Sequence, residues 1–164
     1  MKLLKIYLDT SVINFLFADD SPEKKEITVD FFDNFVRAKK YEVYISSVVV
    51  DEINATKDSE KRKQLLDVLN QYPLHFVSIE LTEDVKFLAK LYITNQIIPT
   101  KKLADALHVA ISVINEMDIL LSWNYKHLAN INRKRQINLI NSVNNYLHPL
   151  EIVTPLEVID YENE

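Results

Sequence analysis

Three acidic residues that could share one metal ion lie far apart in the 164-residue chain. Asp9 directly follows an apolar segment, Glu52 follows a run of valines, and Asp105 lies near the start of a strongly apolar segment. Clustered carboxylates repel one another unless protons or cations neutralise them, and sites made of oxygen ligands select hard cations such as Mg²⁺ or Mn²⁺. Because the chain has no cysteine and only four histidines, a zinc site is disfavoured.

Each acid also has a simpler interpretation. Asp9 stands where a residue that caps the next helix would stand, and its position alone does not separate the two roles. Glu52 could be a solvated helix residue, and Asp51 beside it is an equal candidate. For Asp105 the functional interpretation is favoured, because a carboxylate in a buried helix is costly unless a cation compensates for its charge.

Polar residues near these acids are candidates for supporting roles. His108 comes three residues after Asp105 and shares its helix face, so it could orient a carboxylate or contact a substrate. A histidine in such a helix is nevertheless more often an ordinary core residue. Ser122 and Asn124 alternate to one side at the end of an apolar segment, with Trp123 on the other side. Capping of the following helix explains Asn124 equally well.

Alternating strand and helix patterns predict how these residues are positioned. Strands are predicted over residues 3–8, 42–46, 75–79, 118–123 and 151–153. A short helix is predicted to end near residue 17, and another is predicted to begin at residues 46–47. Longer helices are predicted to cover about 22–40, 58–72, 82–96, 102–116 and 125–146. This alternation predicts an α/β fold with a parallel sheet covered on both faces. In such sheets the site lies outside the carboxyl ends of the strands, where one acid from each unit could meet the others.

Composition excludes several classes of protein. The chain has no glycine, so the glycine-rich phosphate loops of nucleotide-binding proteins are excluded. Backbone positions with positive φ should then be occupied by Asn or Asp, or be avoided. No apolar run of about 18 residues occurs, so we expect no membrane span, and the lack of cysteine fits a reducing cytoplasm. The formal net charge of −5 is unfavourable for nucleic-acid binding, but basic residues such as Lys101 and Lys102 are clustered.

The ordered set of motifs resembles the PIN-domain family, in particular the VapC-like toxins of prokaryotic toxin–antitoxin pairs. The matching segments are residues 6–14, 46–47 with 51–53, 104–110, 120–128 and 152–157. The resemblance covers essentially the whole chain. It implies a single PIN-like domain over residues 1–164, with a three-layer α/β/α fold and a five-stranded parallel sheet.

The resemblance also implies an activity. It implies an endoribonuclease that cleaves single-stranded RNA with Mg²⁺ or Mn²⁺, with Asp9, Glu52 and Asp105 as the catalytic, metal-binding acids. It implies a small antitoxin protein as partner, and homodimers are common in the family. The residues expected near the substrate are Thr10, Ser11, Asn14, Ser122, Asn124, Lys101 and Lys126. Plain surface solvation explains the two lysines equally well.

Other functions remain open at the level of sequence. Many family members have a fourth acid just after the fourth strand, where this chain has Asn124, and an amide binds a cation less strongly. The chain could therefore be a catalytically weak or inactive PIN module that binds RNA or a protein, which the acidic net charge also favours. Aspartate-phosphorylating hydrolases also place an Asp after the first strand, but their motif requires a second Asp where this chain has Ser11.

Overall fold

Five short parallel strands form the centre of the fold. They are β1 (Lys5–Leu8), β2 (Glu42–Ile45), β3 (Leu74–Phe76), β4 (Ile119–Leu121) and β5 (Glu151–Val153). In the computed structural model, which describes residues 2–159, they form one sheet in the spatial order β3-β2-β1-β4-β5. All four neighbouring pairs are parallel. The domain predicted over residues 1–164 also includes Met1 and residues 160–164, which lie outside the described part of the chain.

Both faces of the sheet are covered. Successive side chains of a strand point to opposite faces, and the consecutive residues Ile6, Tyr7 and Leu8 of β1 are all fully buried. A strand buried on both sides is typical of parallel sheets with helices packed on each face. The predicted α/β fold with a five-stranded parallel sheet is therefore confirmed.

Seven α-helices connect and cover the strands in the described part of the chain. They are α1 (Thr10–Asn14), α2 (Pro22–Phe31), α3 (Ser47–Asn54), α4 (Ser59–Gln71), α5 (Glu83–Thr94), α6 (Leu103–Ile114) and α7 (Ile131–Val143). Three begin where the sequence indicates a capping residue, since Ser46, Asp58 and Thr82 accept hydrogen bonds from the first turns of α3, α4 and α5. Over residues 2–159 no helix is long and apolar enough to cross a membrane.

Two predicted helices are shorter than the sequence indicates. The helix predicted over residues 22–40 is α-helical only to Phe31 and continues as a π-helical turn, Phe32–Val36, followed by a tight turn. The helix predicted over residues 125–146 begins at Ile131, because residues 125–130 form turns that end at the capping residue Asn130. Helical periodicity does not mark these interruptions, since the apolar side chains on both sides of them remain buried.

The expectation about positive φ angles is wrong for three of four positions. Among the described residues, φ is positive at Lys39, Gln96, Glu116 and Asn145. Each follows the end of a helical segment, and the next N–H returns to a carbonyl five residues earlier, as in the bond from Ile97 N–H to the carbonyl of Tyr92 (2.9 Å). These are Schellman endings, which glycine normally makes. Satisfying the last carbonyls of the helix outweighs the steric cost of a side chain in this conformation.

The order of the strands determines where a site can form. From β1 the chain moves outward through β2 and β3, then crosses to the other side of β1 to form β4 and β5. The crossing creates a crevice outside the carboxyl ends of β1 and β4, the place where open α/β sheets bind their ligands. Asp9 directly follows β1, and Ser122 directly follows β4.

Candidate active site

Asp9 is a buried carboxylate held by hydroxyl groups. Its side chain accepts hydrogen bonds from Ser11 Oγ at Oδ1 and from Ser122 Oγ at Oδ2, each at 2.5 Å, and the residue is only 3% exposed. Its carboxylate makes no capping hydrogen bond to α1, so the capping interpretation is not supported. Burial is the main cause that raises the pKa of Asp9, with a further rise from the nearby charge of Asp105, while His108 and the two hydroxyls act against it.

Asp105 lies in the first turn of α6 beside Asn124. The Asn124 side-chain amide donates to Asp105 Oδ2 at 3.1 Å, and the Asn124 Oδ1 accepts from the N–H of His127 at 3.1 Å. Asn124 therefore contacts an acid as well as the turn that follows it, whereas the next helix, α7, is capped by Asn130 and not by Asn124. Burial raises the pKa of Asp105, and the charge of Glu52 raises it further, whereas His108, Lys102 and His127 lower it.

Glu52 is held differently from the other two acids. Its Oε1 accepts hydrogen bonds from Thr10 Oγ1 at 2.7 Å and pairs with His108 Nε2 at 2.6 Å. Burial alone would raise the pKa of Glu52, but the contacts with His108 and Thr10 and the charge of Lys102 together lower it. Glu52 thus lies in a setting that stabilises its ionised form, with His108 as its main partner.

The three acids approach one another without forming a three-ligand group. Their charges act on one another, since Asp105 raises the pKa of Asp9 and Glu52 raises that of Asp105, each after the effect of burial. Within residues 2–159, however, no group of three or more acidic or histidine side chains is arranged to hold a metal ion. The expected convergence of all three carboxylates on one cation is therefore not present in this conformation.

Asp9 and Asp105 nevertheless suit a hard cation. Neither forms an ion pair with a basic side chain within 4.0 Å in the described part of the chain, and both have carboxyl groups whose pKa is raised mainly by burial. Their surroundings supply oxygen atoms from carboxylates, hydroxyls and an amide, which are ligands that Mg²⁺ and Mn²⁺ accept. Two acids whose charges act on each other and that form no ion pair with a basic side chain in residues 2–159 fit a divalent cation better than they fit a purely structural role.

A basic groove of about 680 Å³ lies beside these acids. Its walls include Ser11 and Asn124, which contact Asp9 and Asp105 respectively. The basic side chains along it are Lys101, Lys102, Lys126 and His127. The two predicted lysines, Lys101 and Lys126, thus line one groove next to the candidate site, and both are exposed.

Aromatic rings form part of the same groove. Trp123 and Phe15 line it, with their ring centroids 5.7 Å apart, and Tyr125 packs edge-on against Trp123. The ammonium of Lys24 lies 5.0–5.6 Å from the centroids of all three rings. Lys24 lies outside the matching segments of the sequence, and Tyr125 lies inside one of them (120–128) but was not predicted to be a site residue.

The remaining predicted polar residues differ in which acid they contact. Ser11 and Ser122 hold Asp9, and Thr10 holds Glu52. Asn14 is half-buried at the end of α1 and has no hydrogen bond to these residues. Sequence reasoning assigned Tyr7 to a strand and Ser46 to a helix cap but missed their hydrogen bonds behind His108, because a tyrosine within an apolar strand gives no functional signal.

Comparisons with known proteins identify the fold. No protein-family model matches the chain, and no curated protein matches it in sequence. Among solved structures, VapBC2 of Rickettsia felis, bound to a DNA fragment from its promoter, matches with a TM-score of 0.55 and 15% identity, over 92% of this chain and 98% of that chain. VapBC-1 of nontypeable Haemophilus influenzae matches with a TM-score of 0.54 and 12% identity, over 93% and 99%. The chain therefore has the fold of the VapC PIN-domain toxins, as its motifs predict.

Proposed function

We propose that the chain is an endoribonuclease that cleaves single-stranded RNA with the help of Mg²⁺ or Mn²⁺. The observation that carries the proposal is the pair of carboxylates, Asp9 and Asp105, which lack a basic partner at the carboxyl edge of β1 and β4. The adjacent basic groove supplies the positive charge that an RNA backbone requires, despite the acidic net charge of the chain.

Asp9 and Asp105 would hold the principal metal ion, and Glu52 would contribute directly or through a water molecule. A divalent ion bound there supplies Lewis acidity, which lowers the pKa of a bound water and stabilises charge on the phosphate oxygens. The hydroxyls of Ser11 and Ser122 fix the carboxylate of Asp9, and the amide of Asn124 orients that of Asp105.

The groove would bind the nucleic acid on both sides of the cleaved bond. Lys101, Lys102 and Lys126 would contact phosphates, which positions the strand without reading its sequence. The half-buried ring of Phe15 lines the same groove and could contact an unstacked base, with the buried Trp123 packed behind it. Asn14, at the end of α1, would contact substrate only if the RNA extends past Ser11.

Metal-dependent cleavage by matched variants tests the proposal. Asp105→Asn keeps the size of the side chain and one oxygen that can accept from Asn124, but it removes a negatively charged ligand, so cleavage of a defined RNA with Mn²⁺ should fall by at least about 100-fold. Asp51→Asn is the control, because Asp51 is exposed beside Glu52 and contacts none of the other acids. Cleavage that survives chelation, or Asp105→Asn with wild-type activity, would contradict the assignment.

We propose that the chain binds a small antitoxin and acts in the cytoplasm. The proposal of an antitoxin rests on the fold, because the two structural neighbours described above are VapBC complexes. Expression of the chain alone should arrest growth, and co-expression with the product of the adjacent reading frame should relieve the arrest and give a co-purifying complex. The mass of the purified chain would test the homodimer that the resemblance implies.

A second candidate is a PIN module that binds RNA or a protein without cleaving RNA. It is favoured by the absence of a three-ligand group within residues 2–159 and by the amide of Asn124 at the place of a fourth acid. Calorimetric titration with Mn²⁺ separates the two candidates, since the nuclease requires a site that binds metal and the inactive module does not.

A further inference from the structure

An unbroken series of hydrogen bonds leads from the core to Glu52. Ser46 Oγ lies 2.7 Å from Tyr7 Oη, and Tyr7 Oη lies 2.7 Å from His108 Nδ1. His108 Nε2 then lies 2.6 Å from Glu52 Oε1, which also accepts a hydrogen bond from Thr10 Oγ1 at 2.7 Å. The series joins β1, the start of α3, the start of α1 and the middle of α6.

Tyr7, Ser46 and His108 are buried, so water cannot replace their hydrogen-bond partners. Tyr7 and Ser46 are fully buried, and His108 is 1% exposed. Both ring nitrogens of His108 are engaged, by Tyr7 on one side and by Glu52 on the other, so the plane of the ring is fixed. An apolar side chain would fill the same space without the cost of burying a polar ring, so the series needs an explanation beyond packing.

The series determines which oxygen atom Glu52 presents. Both hydrogen bonds end on Oε1, and within residues 2–159 no donor contacts Oε2. The side chain is 37% exposed, so Oε2 is the oxygen that remains available to a ligand. A glutamate with this exposure would otherwise sample several rotamers, because its three side-chain torsions are free in solvent.

We propose that His108 is a positioning residue that, supported by Tyr7 and Ser46, holds Glu52 in one orientation with Oε2 directed to the reaction. The expected effect on catalysis rests on the proposed nuclease function, whereas the orientation of Glu52 by His108 does not depend on that function. His108 does not line the groove and forms no hydrogen bond to Asp9 or Asp105 within residues 2–159, so Glu52 is the acid that it holds in place. Histidine–carboxylate pairs in which one partner orients the other are common behind metal sites.

Kinetics of three variants test the consequence. His108→Leu removes both hydrogen bonds and should lower kcat about 10- to 100-fold, with KM for RNA changed less than about twofold. His108→Gln restores an N–H donor and should recover part of the loss. Tyr7→Phe keeps the ring in the core, removes only the hydroxyl and should lower kcat several-fold, so the test survives if His108→Leu folds poorly.

Ser112→Ala is the matched control on the same helix. Ser112 is fully buried, and its hydroxyl donates only to the backbone carbonyl of His108, so a purely structural effect would appear here too. The control should keep the wild-type kcat. Folded His108→Leu and Tyr7→Phe variants with wild-type kcat would overturn the inference.

A measurement that does not depend on catalysis separates this inference from the proposed function. Side-chain carbon relaxation in selectively labelled protein without metal should show an ordered Glu52 in the wild type and in Ser112→Ala, and a disordered one in His108→Leu. An equally ordered Glu52 in all three would overturn the positioning role. If Glu52 loses order but no variant, including the wild type, cleaves RNA, then the proposed nuclease function fails and the positioning role stands.

Discussion

At the scale of single residues, Asp9 is the site residue that we expect to affect the free energy of unfolding most. Its carboxylate is 3% exposed and is satisfied by two hydroxyls, which supply hydrogen bonds but no charge. A buried carboxylate without a compensating cation lowers the stability of the fold. The residue that the proposed chemistry needs is therefore one that destabilises the metal-free protein.

Asp9→Asn should consequently stabilise the metal-free protein. Asparagine can accept a hydrogen bond from one hydroxyl and donate to the other after that hydroxyl rotates, and it carries no charge into the core. We expect the free energy of unfolding at neutral pH to rise by about 1–2 kcal/mol, measured by urea denaturation in the presence of a chelator. Exposed Asp51→Asn should change it by less than about 0.5 kcal/mol. A less stable Asp9→Asn protein would show that the fold already compensates the charge.

The sequence predicts the contents of the site better than its internal contacts. That Asp9, Ser122 and Asn124 come together follows from their places at strand ends, because parallel strands bring these ends to one edge. The contact between Glu52 and His108 could not be predicted, since it depends on how α3 and α6 pack against each other. Asp51 and Glu52 were equivalent in the sequence, and only the fold turns one of them toward His108.

At the scale of elements, helix endings without glycine are the unusual feature of this chain. Lys39, Gln96 and Glu116 each have positive φ in a Schellman ending. A side chain in this conformation costs about 1–2 kcal/mol relative to glycine, whereas glycine loses about 0.4–1 kcal/mol more backbone entropy on folding. The balance favours glycine at all three positions.

Glycine substitutions at these positions should therefore stabilise the protein. We expect Lys39→Gly, Gln96→Gly and Glu116→Gly each to raise the free energy of unfolding by about 0.5–1 kcal/mol, with near additivity because they lie in separate elements. Thermal and urea unfolding of the single and triple variants measures the gain. Asn145→Gly is the internal comparison, with a smaller gain because asparagine tolerates positive φ. A triple variant no more stable than the wild type would contradict the argument.

One hydrogen bond connects α2 to the loop that follows β4. The indole N–H of Trp123 donates to Thr28 Oγ1 at 2.9 Å, and both residues are buried. Thr28→Val keeps the shape of the side chain but leaves the indole N–H without a partner, so the free energy of unfolding should fall by about 1–3 kcal/mol. Thr28→Ser, which keeps the hydroxyl, should lose less, and circular dichroism during urea unfolding compares the two. Equal losses would mean that the lost methyl group matters more than the hydrogen bond.

Element types were predictable from the sequence, whereas several ends were not. The strand over residues 151–153 has the predicted bounds, but the strand predicted over 118–123 is ordered as a strand only at Ile119–Leu121. Beyond Leu121, the N–H of Ser122 still donates to the carbonyl of Val153 in β5, but the N–H of Trp123 donates to Ser11 Oγ instead of to a neighbouring strand, so the ladder ends there. The π-helical turn after Phe31 is set by packing in the core, which the periodicity of the sequence does not record.

At the scale of the whole molecule, metal binding should be linked to stability. An ion that binds only the folded protein stabilises it by an amount that grows with the ratio of free ion to dissociation constant, about 2.7 kcal/mol at a ratio of 100. Mn²⁺ should therefore raise the melting temperature of the wild type. The rise should be absent in Asp9→Asn and Asp105→Asn, and Ca²⁺ or Mg²⁺ in the same assay would rank the cations. A rise of the same size in both variants would place metal binding elsewhere.

The position of Trp123 gives the molecule an intrinsic optical probe. It is the only tryptophan in the chain, it lies between Ser122 and Asn124, and Lys24 and two aromatic rings surround it. Ion entry between Asp9 and Asp105, or a strand of RNA along the groove, would change the emission of this one fluorophore. Binding events could then be followed in real time on unlabelled protein, and separated from the later cleavage step by stopped-flow mixing.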